Sequence, residues 1–299
     1  MVSTLKVRNL LFLAMAFGAV GMGKSYENVE FSRADGNSLQ LDASVPEGRG
    51  PFPAVIIVHG GAWVTGDRRR SVEPLFKPLS DANLAWFSIS YRLASGLDLG
   101  SLQSAISSSA SLVGAVDDVR QSIAYVRKHA SEYGVDPNRM AIIGESAGAQ
   151  LASMAALKPG PEGSVNAVVA FYSPSDLVRL IETTQRIPAS IRQTIQGTPF
   201  GALLMAGLRD QSPINLVQKD APPFLLIHGT NDGLVPFDQS QEMCSALTKA
   251  GASCDLYPVE GGGHGMRWWE SQSGLTAYKQ RMIRWLNEKL SDKLGDFKP

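Results

Sequence analysis

The chain predicts an α/β fold, with a mostly parallel central sheet, helices on both faces and an antiparallel hairpin at the amino end. Three observations predict it. Short apolar runs at residues 54–58, 85–90, 140–143, 167–171, 224–227 and 255–259 are too continuous for half-exposed strands and suit strands buried on both faces. Helical patterns lie between several of these runs, as right-handed β-α-β connections require. The segment Gly144-Glu145-Ser146-Ala147-Gly148 joins the apolar run 140–143 to a helix-like stretch at 149–157, the context of a sharp strand-to-helix turn.

Taken in order, residues 1–23 read as a secretory signal. Lys6 and Arg8 supply a basic start, and the apolar stretch 10–20 is too short to span a membrane. Gly21-Met22-Gly23 offers small residues for cleavage, and a mature chain of residues 24–299 is expected in the periplasm or outside the cell. No cysteine is present in that stretch to carry a lipid anchor. The same region matches a phosphate-binding pattern letter for letter, from Gly18 to Lys24-Ser25. That chemistry needs a helix starting at the lysine. Residues 26–45 carry a hairpin pattern instead, with strands at 29–32 and 39–43 around Asp35-Gly36, so nucleotide binding is not expected.

A helix is expected over 118–131, where Val119, Ile123 and Val126 share a face, and a final one over 275–290 with Tyr278, Met282, Ile283 and Leu286 on one side. The serine-rich stretch 97–111 has weak helix signals and reads as a mobile loop. The interval 175–220 is longer than an ordinary crossover. Its helix-like segments at 177–183 and 191–195, with the apolar 199–204, read as a small cap insertion roofing a pocket within a single domain.

Composition narrows the function. At 299 residues and 44% hydrophobic content the chain can bury a full core. Acidic and basic residues are equal at 28 each, which gives no case for nucleic acid or a charged membrane surface. Arg68-Arg69-Arg70 is a short run in a loop and reads as a solvated face. Two cysteines are present, Cys244 on a helix and Cys254 at the start of the next strand; in an oxidising compartment they are expected to form one disulfide.

The serine-bearing turn directs attention to nucleophilic chemistry. A serine there stands clear at the carboxyl end of the sheet, next to a helix amino terminus that favours negative charge. It needs a base, and there are four histidines. His59 and His228 each close an apolar strand and are expected to bond to loop backbone. His129 falls near a helix end and suits capping or solvent. His264, in Gly261-Gly262-Gly263-His264-Gly265, lies on a late glycine-rich loop that can carry an imidazole to Ser146. The imidazole in turn needs a carboxylate to hold its tautomer. Asp232, just past the run 224–227, is better placed than Asp220, Asp238 or Asp255. Backbone N–H groups of Gly61, Ala62 and Ala147 are the candidate donors to a developing oxyanion.

Together these pieces resemble the α/β-hydrolase esterases, close to the hormone-sensitive-lipase-like and feruloyl or acetylxylan esterases. The matching segments are His59-Gly60-Gly61-Ala62-Trp63 with Gly66-Asp67, Ser90-Tyr91-Arg92, Asp136-Pro137-Asn138-Arg139, Gly144–Gly148, His228–Pro236 and Gly263-His264-Gly265, in the family's order over residues 27 to 290. The resemblance implies an α/β-hydrolase fold, with Ser146 as nucleophile, His264 as general base and acid, and Asp232 as its orienter. Ala62 departs from the third glycine common in relatives but keeps a backbone donor. The expected function is a secreted carboxylic ester hydrolase acting through an acyl-enzyme on short-acyl, acetyl or feruloyl esters of carbohydrates or small alcohols. No cofactor, metal, nucleic acid or stable membrane anchor is expected. Amide cleavage by the same three residues, as a peptidase or arylformamidase, and a non-catalytic binding scaffold are the alternatives.

Overall fold

The computed structural model describes residues 23–94, 102–183 and 198–291. Eight strands form one sheet: β1 (Lys24–Ala34), β2 (Asn37–Val45), β3 (Phe52–Val58), β4 (Ala85–Ile89), β5 (Val135–Glu145), β6 (Ala167–Phe171), β7 (Phe224–Gly229) and β8 (Cys254–Val259). Their spatial order is β1-β2-β4-β3-β5-β6-β7-β8. Every pairing from β4 to β8 is parallel, and the hairpin β1-β2 joins antiparallel to β4. The hairpin turn is Asp35-Gly36 with φ of 51° and 79°. Positive φ at both central residues is what a two-residue turn matching the strand twist needs. Lys24 opens β1 rather than a helix, so the phosphate-loop pattern lacks its structural partner.

The helices are α1 (Phe76–Asp81), α2 (Leu102–Lys128), α3 (Ala130–Tyr133), α4 (Ala147–Leu157), α5 (Leu177–Thr183), α6 (Pro199–Asp210), α7 (Asp238–Ala250), α8 (Met266–Glu270) and α9 (Tyr278–Lys289). Strand β3 shows why the sequence reads as unbroken apolar runs. Ala54, Ile56 and Val58 enter one core; Val55 and Ile57 enter the other; all are fully buried. The first core is closed by Val119 and Ile123 of α2, Leu151 and Ala155 of α4, and Met243 and Leu247 of α7. The second is closed by Leu79 of α1 and by Met282, Trp285 and Leu286 of α9. Helix α4 is buried along its whole length, which its alanine-rich sequence permits between sheet and α2.

Three expectations need correction. The serine-rich stretch is not a loop over 102–111, because α2 starts at Leu102; residues 95–101 lie outside the described set. Once a helix is nucleated by its buried face, here from Ala115 onward, each added residue needs only propagation, so poor serine propensity does not stop it. The helix expected over 118–131 is accordingly the second half of α2, which ends at Lys128 before the short α3. Arg68-Arg69-Arg70 is not a plain solvated face either. Arg68 and Arg69 both reach the buried carboxylate of Asp42, at 3.1 and 2.5 Å.

In the interval 175–220, α5 and α6 form with α6 packed on α2 and α5, while the segment expected as a helix at 191–195 lies outside the described residues.

Candidate active site

Ser146 directly follows β5 and precedes α4, with φ 54° and ψ −120°. This backbone conformation is sterically open only to glycine at low energy, so the serine is held under strain of roughly 1–3 kcal/mol. The flanking glycines make the turn possible. A Cβ at Gly144 would lie 2.3 Å from the Gly148 carbonyl oxygen, and one at Gly148 would lie 2.2 Å from that of His59. The Ser146 N–H donates to the Phe171 carbonyl of the neighbouring β6 at 3.0 Å, which pins the turn to the sheet.

The loop after β8 brings His264 to this serine, with Nε2 3.0 Å from Ser146 Oγ. Trp269, fully buried, donates from Nε1 to the Gly263 carbonyl at 2.8 Å, holding the loop from beneath. The ring of Tyr172 meets the imidazole edge-on, with centroids 4.7 Å apart. On its other side His264 Nδ1 stands 2.7 Å from Asp232 Oδ2. The histidine and aspartate loops are themselves joined, since Asn231 N–H donates to the Gly262 carbonyl at 2.9 Å.

Asp232 is a fully engaged carboxylate. Its Oδ1 accepts from the N–H groups of Leu234 and Val235, both at 2.9 Å. Burial opposes its charge, but hydrogen bonds from His228 and His264 and from backbone outweigh that and hold its carboxyl well below the usual range. It is therefore a permanent anion beside the imidazole, suited to fix one tautomer and to stabilise the imidazolium.

The loop after β3 supplies the third part. Gly61, Ala62 and Trp63 have φ of 123°, 52° and 63°, a run of left-handed residues that turns the chain back toward α4. The Gly61 carbonyl accepts from Val64 and Thr65, and Trp63 Nε1 donates to Gln150 of α4 at 2.9 Å. Among the described residues the N–H groups of Gly61 and Ala62 donate to no protein acceptor. Ala147 is the first residue of α4, where an N–H has no intrahelical acceptor.

The other histidines take the supporting places expected of them. His59 is buried, donates from Nδ1 to the Gly60 carbonyl at 2.7 Å and stacks on Tyr91; burial holds its imidazole below the ordinary range. His228 bridges Ser240 Oγ and the Val235 carbonyl, and its Nε2 also stands 3.4 Å from Asp232 Oδ2. His129 faces Glu132 at the end of α2. Of the rival acids, Asp238 pairs with Arg179 and Asp255 accepts from Trp285 and Arg281, each away from His264. Cys244 of α7 and Cys254 of β8 are joined in a disulfide.

Two residues of the site escaped sequence reasoning. Glu145 is only 7% exposed and accepts from the Gly60 N–H at 2.9 Å. Tyr172 is fully buried with φ 37°, and its hydroxyl accepts from the Met266 N–H at 2.9 Å. A signal for Glu145 existed: a carboxylate wedged between an apolar strand and an apolar helix has no route to solvent and needs a buried partner.

A sheet of this order, with a serine on a strained turn between a central parallel strand and its helix, defines an α/β-hydrolase. The chain belongs to the BD-FAE family, whose model matches residues 41–247. It is 30% identical over 218 residues to the probable carboxylic ester hydrolase LipM of Mycobacterium tuberculosis, covering 70% of this chain and 48% of that one. It is 31% identical over 235 residues to esterase LipC of the same organism, covering 72% and 53%. The chain thus spans about half the length of the curated relatives it matches. A solved structure described as a truncated carbohydrate esterase from gut microbiota superposes with a TM-score of 0.67 at 25% identity, over 90% of this chain and 96% of that one. Esterase Est2 of Thermogutta terrifontis shares the fold, with a TM-score of 0.70 at 22% identity over 92% and 95%.

Proposed function

We propose that this chain is a serine carboxylic ester hydrolase. Ser146 attacks the ester carbonyl while His264 Nε2 takes its proton; the same imidazolium then protonates the departing alcohol. Water, deprotonated by His264, releases the acid from the acyl-enzyme and regenerates Ser146. Asp232 keeps the imidazole in the tautomer that presents a free Nε2. Gly61, Ala62 and Ala147 offer N–H donors to the oxyanion. The observation that carries the reading is the continuous line Ser146 Oγ, His264, Asp232 at 3.0 and 2.7 Å.

The substrates we assign are acetyl, feruloyl or other short-acyl esters of carbohydrates or small alcohols. The carbohydrate esterase among the structural relatives supports this, as do the esterase names of the sequence relatives. We place the protein in an oxidising compartment, which the disulfide and the signal-like residues 1–23 support. We further propose that α5 and α6, the described helices of this interval, cap the active site, and that the described residues form one domain.

The test is hydrolysis of p-nitrophenyl esters from acetate to decanoate, and of methyl ferulate, by wild type and by Ser146→Ala. Turnover that vanishes in the variant is the expected result. Wild-type inactivity on every ester, or a variant that keeps its rate, overturns the reading.

A further inference from the structure

One buried carboxylate of the site makes no hydrogen bond to the serine hydroxyl or to His264 among the described residues. Glu145 precedes the nucleophile and is held at 7% exposure at the end of β5. A carboxylate in such a place is stable only with hydrogen-bond donors facing it. The first donor is the Gly60 N–H at 2.9 Å, from the loop that carries Gly61 and Ala62. The fit is tight: a Cβ on Gly60 would lie 2.8 Å from the same carboxylate oxygen. On the opposite side of the site stands Tyr172, which directly follows Phe171, the ladder partner of Glu145. The Tyr172 hydroxyl accepts from the Met266 N–H, two residues past His264, which leaves its own proton free to be donated. Burial first, and the charge of Glu145 after it, raise that hydroxyl well above the ordinary phenol range.

We propose that Glu145 is a positioning residue that fixes the oxyanion loop, through Gly60, and the histidine loop, through Tyr172 and Met266, on one rigid point beside the nucleophile. Asp232, the other buried acid at the histidine loop, is already taken up by the imidazole and by the N–H groups of Leu234 and Val235, and Glu260 at the start of that loop is exposed. The strand end fixes the carboxylate's own position, because Glu145 pairs with Phe171 in the β5-β6 ladder. Setting both loops from one atom group fixes the distance between the oxyanion donors and His264. That distance matters when the tetrahedral intermediate forms and matters little when the ester merely binds.

The kinetic half of this proposal rests on Ser146 being the nucleophile; the structural half does not. Hydrogen exchange of wild type, Glu145→Ala, Glu145→Gln and Tyr172→Phe is measured by mass spectrometry, beside kcat and KM on p-nitrophenyl acetate. Glu145→Ala is expected to speed exchange in residues 59–66 and 261–267 together. Its kcat should fall about 100-fold, with KM within about threefold of wild type. Glu145→Gln keeps an acceptor oxygen and should recover most of both. Tyr172→Phe should loosen 261–267 and leave 59–66 unchanged, and it serves as the test if Glu145→Ala does not fold. Unchanged exchange in both segments, a rise spread evenly over the chain, or a Glu145→Gln protein as impaired as Glu145→Ala overturns the proposal. Wild type inactive on every ester, with the exchange pattern as expected, would remove the esterase reading and leave the positioning role standing.

Discussion

Asp232 Oδ2 lies 2.7 Å from His264 Nδ1, and the aspartate side chain is wholly closed to solvent while the imidazole stays 19% exposed. The pair is therefore asymmetric. The anion is fixed by its backbone donors, and the ring is the part that can meet a substrate.

Replacing that anion should affect turnover far more than fold. Asp232→Asn keeps the volume and the acceptor for Leu234 and Val235 but can present an N–H to Nδ1, reversing the tautomer. The expected loss in kcat is roughly 10⁴-fold. Near-wild-type turnover of p-nitrophenyl acetate by the variant would show that another acid orients His264.

The same residue should shape acid stability. Its carboxyl is held well below the usual range in the folded chain, against about 3.9 when unfolded. Below that unfolded value the unfolded chain takes up a proton that the folded chain refuses, so the contribution of Asp232 is full above about pH 4 and is lost as pH falls further. Urea unfolding from pH 6 down to pH 2 should show a steeper fall for wild type than for Asp232→Asn. Parallel curves would contradict this.

Close packing at the serine turn predicts a contrast between two glycines. Gly148→Ala drives a Cβ to 2.2 Å from one backbone oxygen and 2.3 Å from another, neither of which can move without the strand. A loss of about 1–3 kcal/mol, or failure to fold, is expected. Gly233→Ala meets no atom within 4 Å and should be neutral or slightly stabilising. Equal midpoints for the two variants in urea would remove the packing explanation.

Arg92 is the partner of a fully buried acid. Its Nε, its Nη2 and its backbone N–H donate to Asp118, which has no exposed surface, while Nη1 donates to the exposed Asp35. Arg92→Ala leaves that charge uncompensated and should cost about 3–5 kcal/mol. A shift of the thermal midpoint too small to correspond to about 1 kcal/mol would argue against it.

The disulfide should stabilise without touching chemistry. Cys244 and Cys254 are ten residues apart, and a bridge over so short a loop contributes about 2–3 kcal/mol in the chain-entropy account. The Cys244→Ser/Cys254→Ser double variant should unfold earlier in urea by that amount and keep its kcat.

Much of this site was legible because its chemistry is carried by local spacing. The turn around Ser146, the glycines before His264 and the strand end before Asp232 each advertise themselves within a few residues. The same holds for β3 to β7, whose double-sided burial leaves apolar runs; β8, expected to be buried on both faces, is an edge strand with only Val259 buried. The sequence around Glu145 signalled that it needs a buried partner but not which one, because that partner is Gly60, 85 residues earlier, beside a tyrosine at the end of the neighbouring strand. The pairing of Arg68 and Arg69 with Asp42 was hidden for the same reason. The start of α2 was missed because composition reports propensity, whereas the helix is held by packing that begins further along the chain.

The left-handed backbone of Ser146 has a consequence for how the protein can change. The hydroxyl is aimed by the main chain, so its ordering is completed when the chain folds and is not repeated at each encounter with a substrate. The molecule therefore carries a standing trade between durability and reactivity at one residue. Ser146→Gly, free of the strain, should melt higher than wild type while losing the hydroxyl that we propose as the nucleophile. Variants selected for heat resistance alone would be drawn toward relaxing this turn, and only selection for turnover would keep it wound.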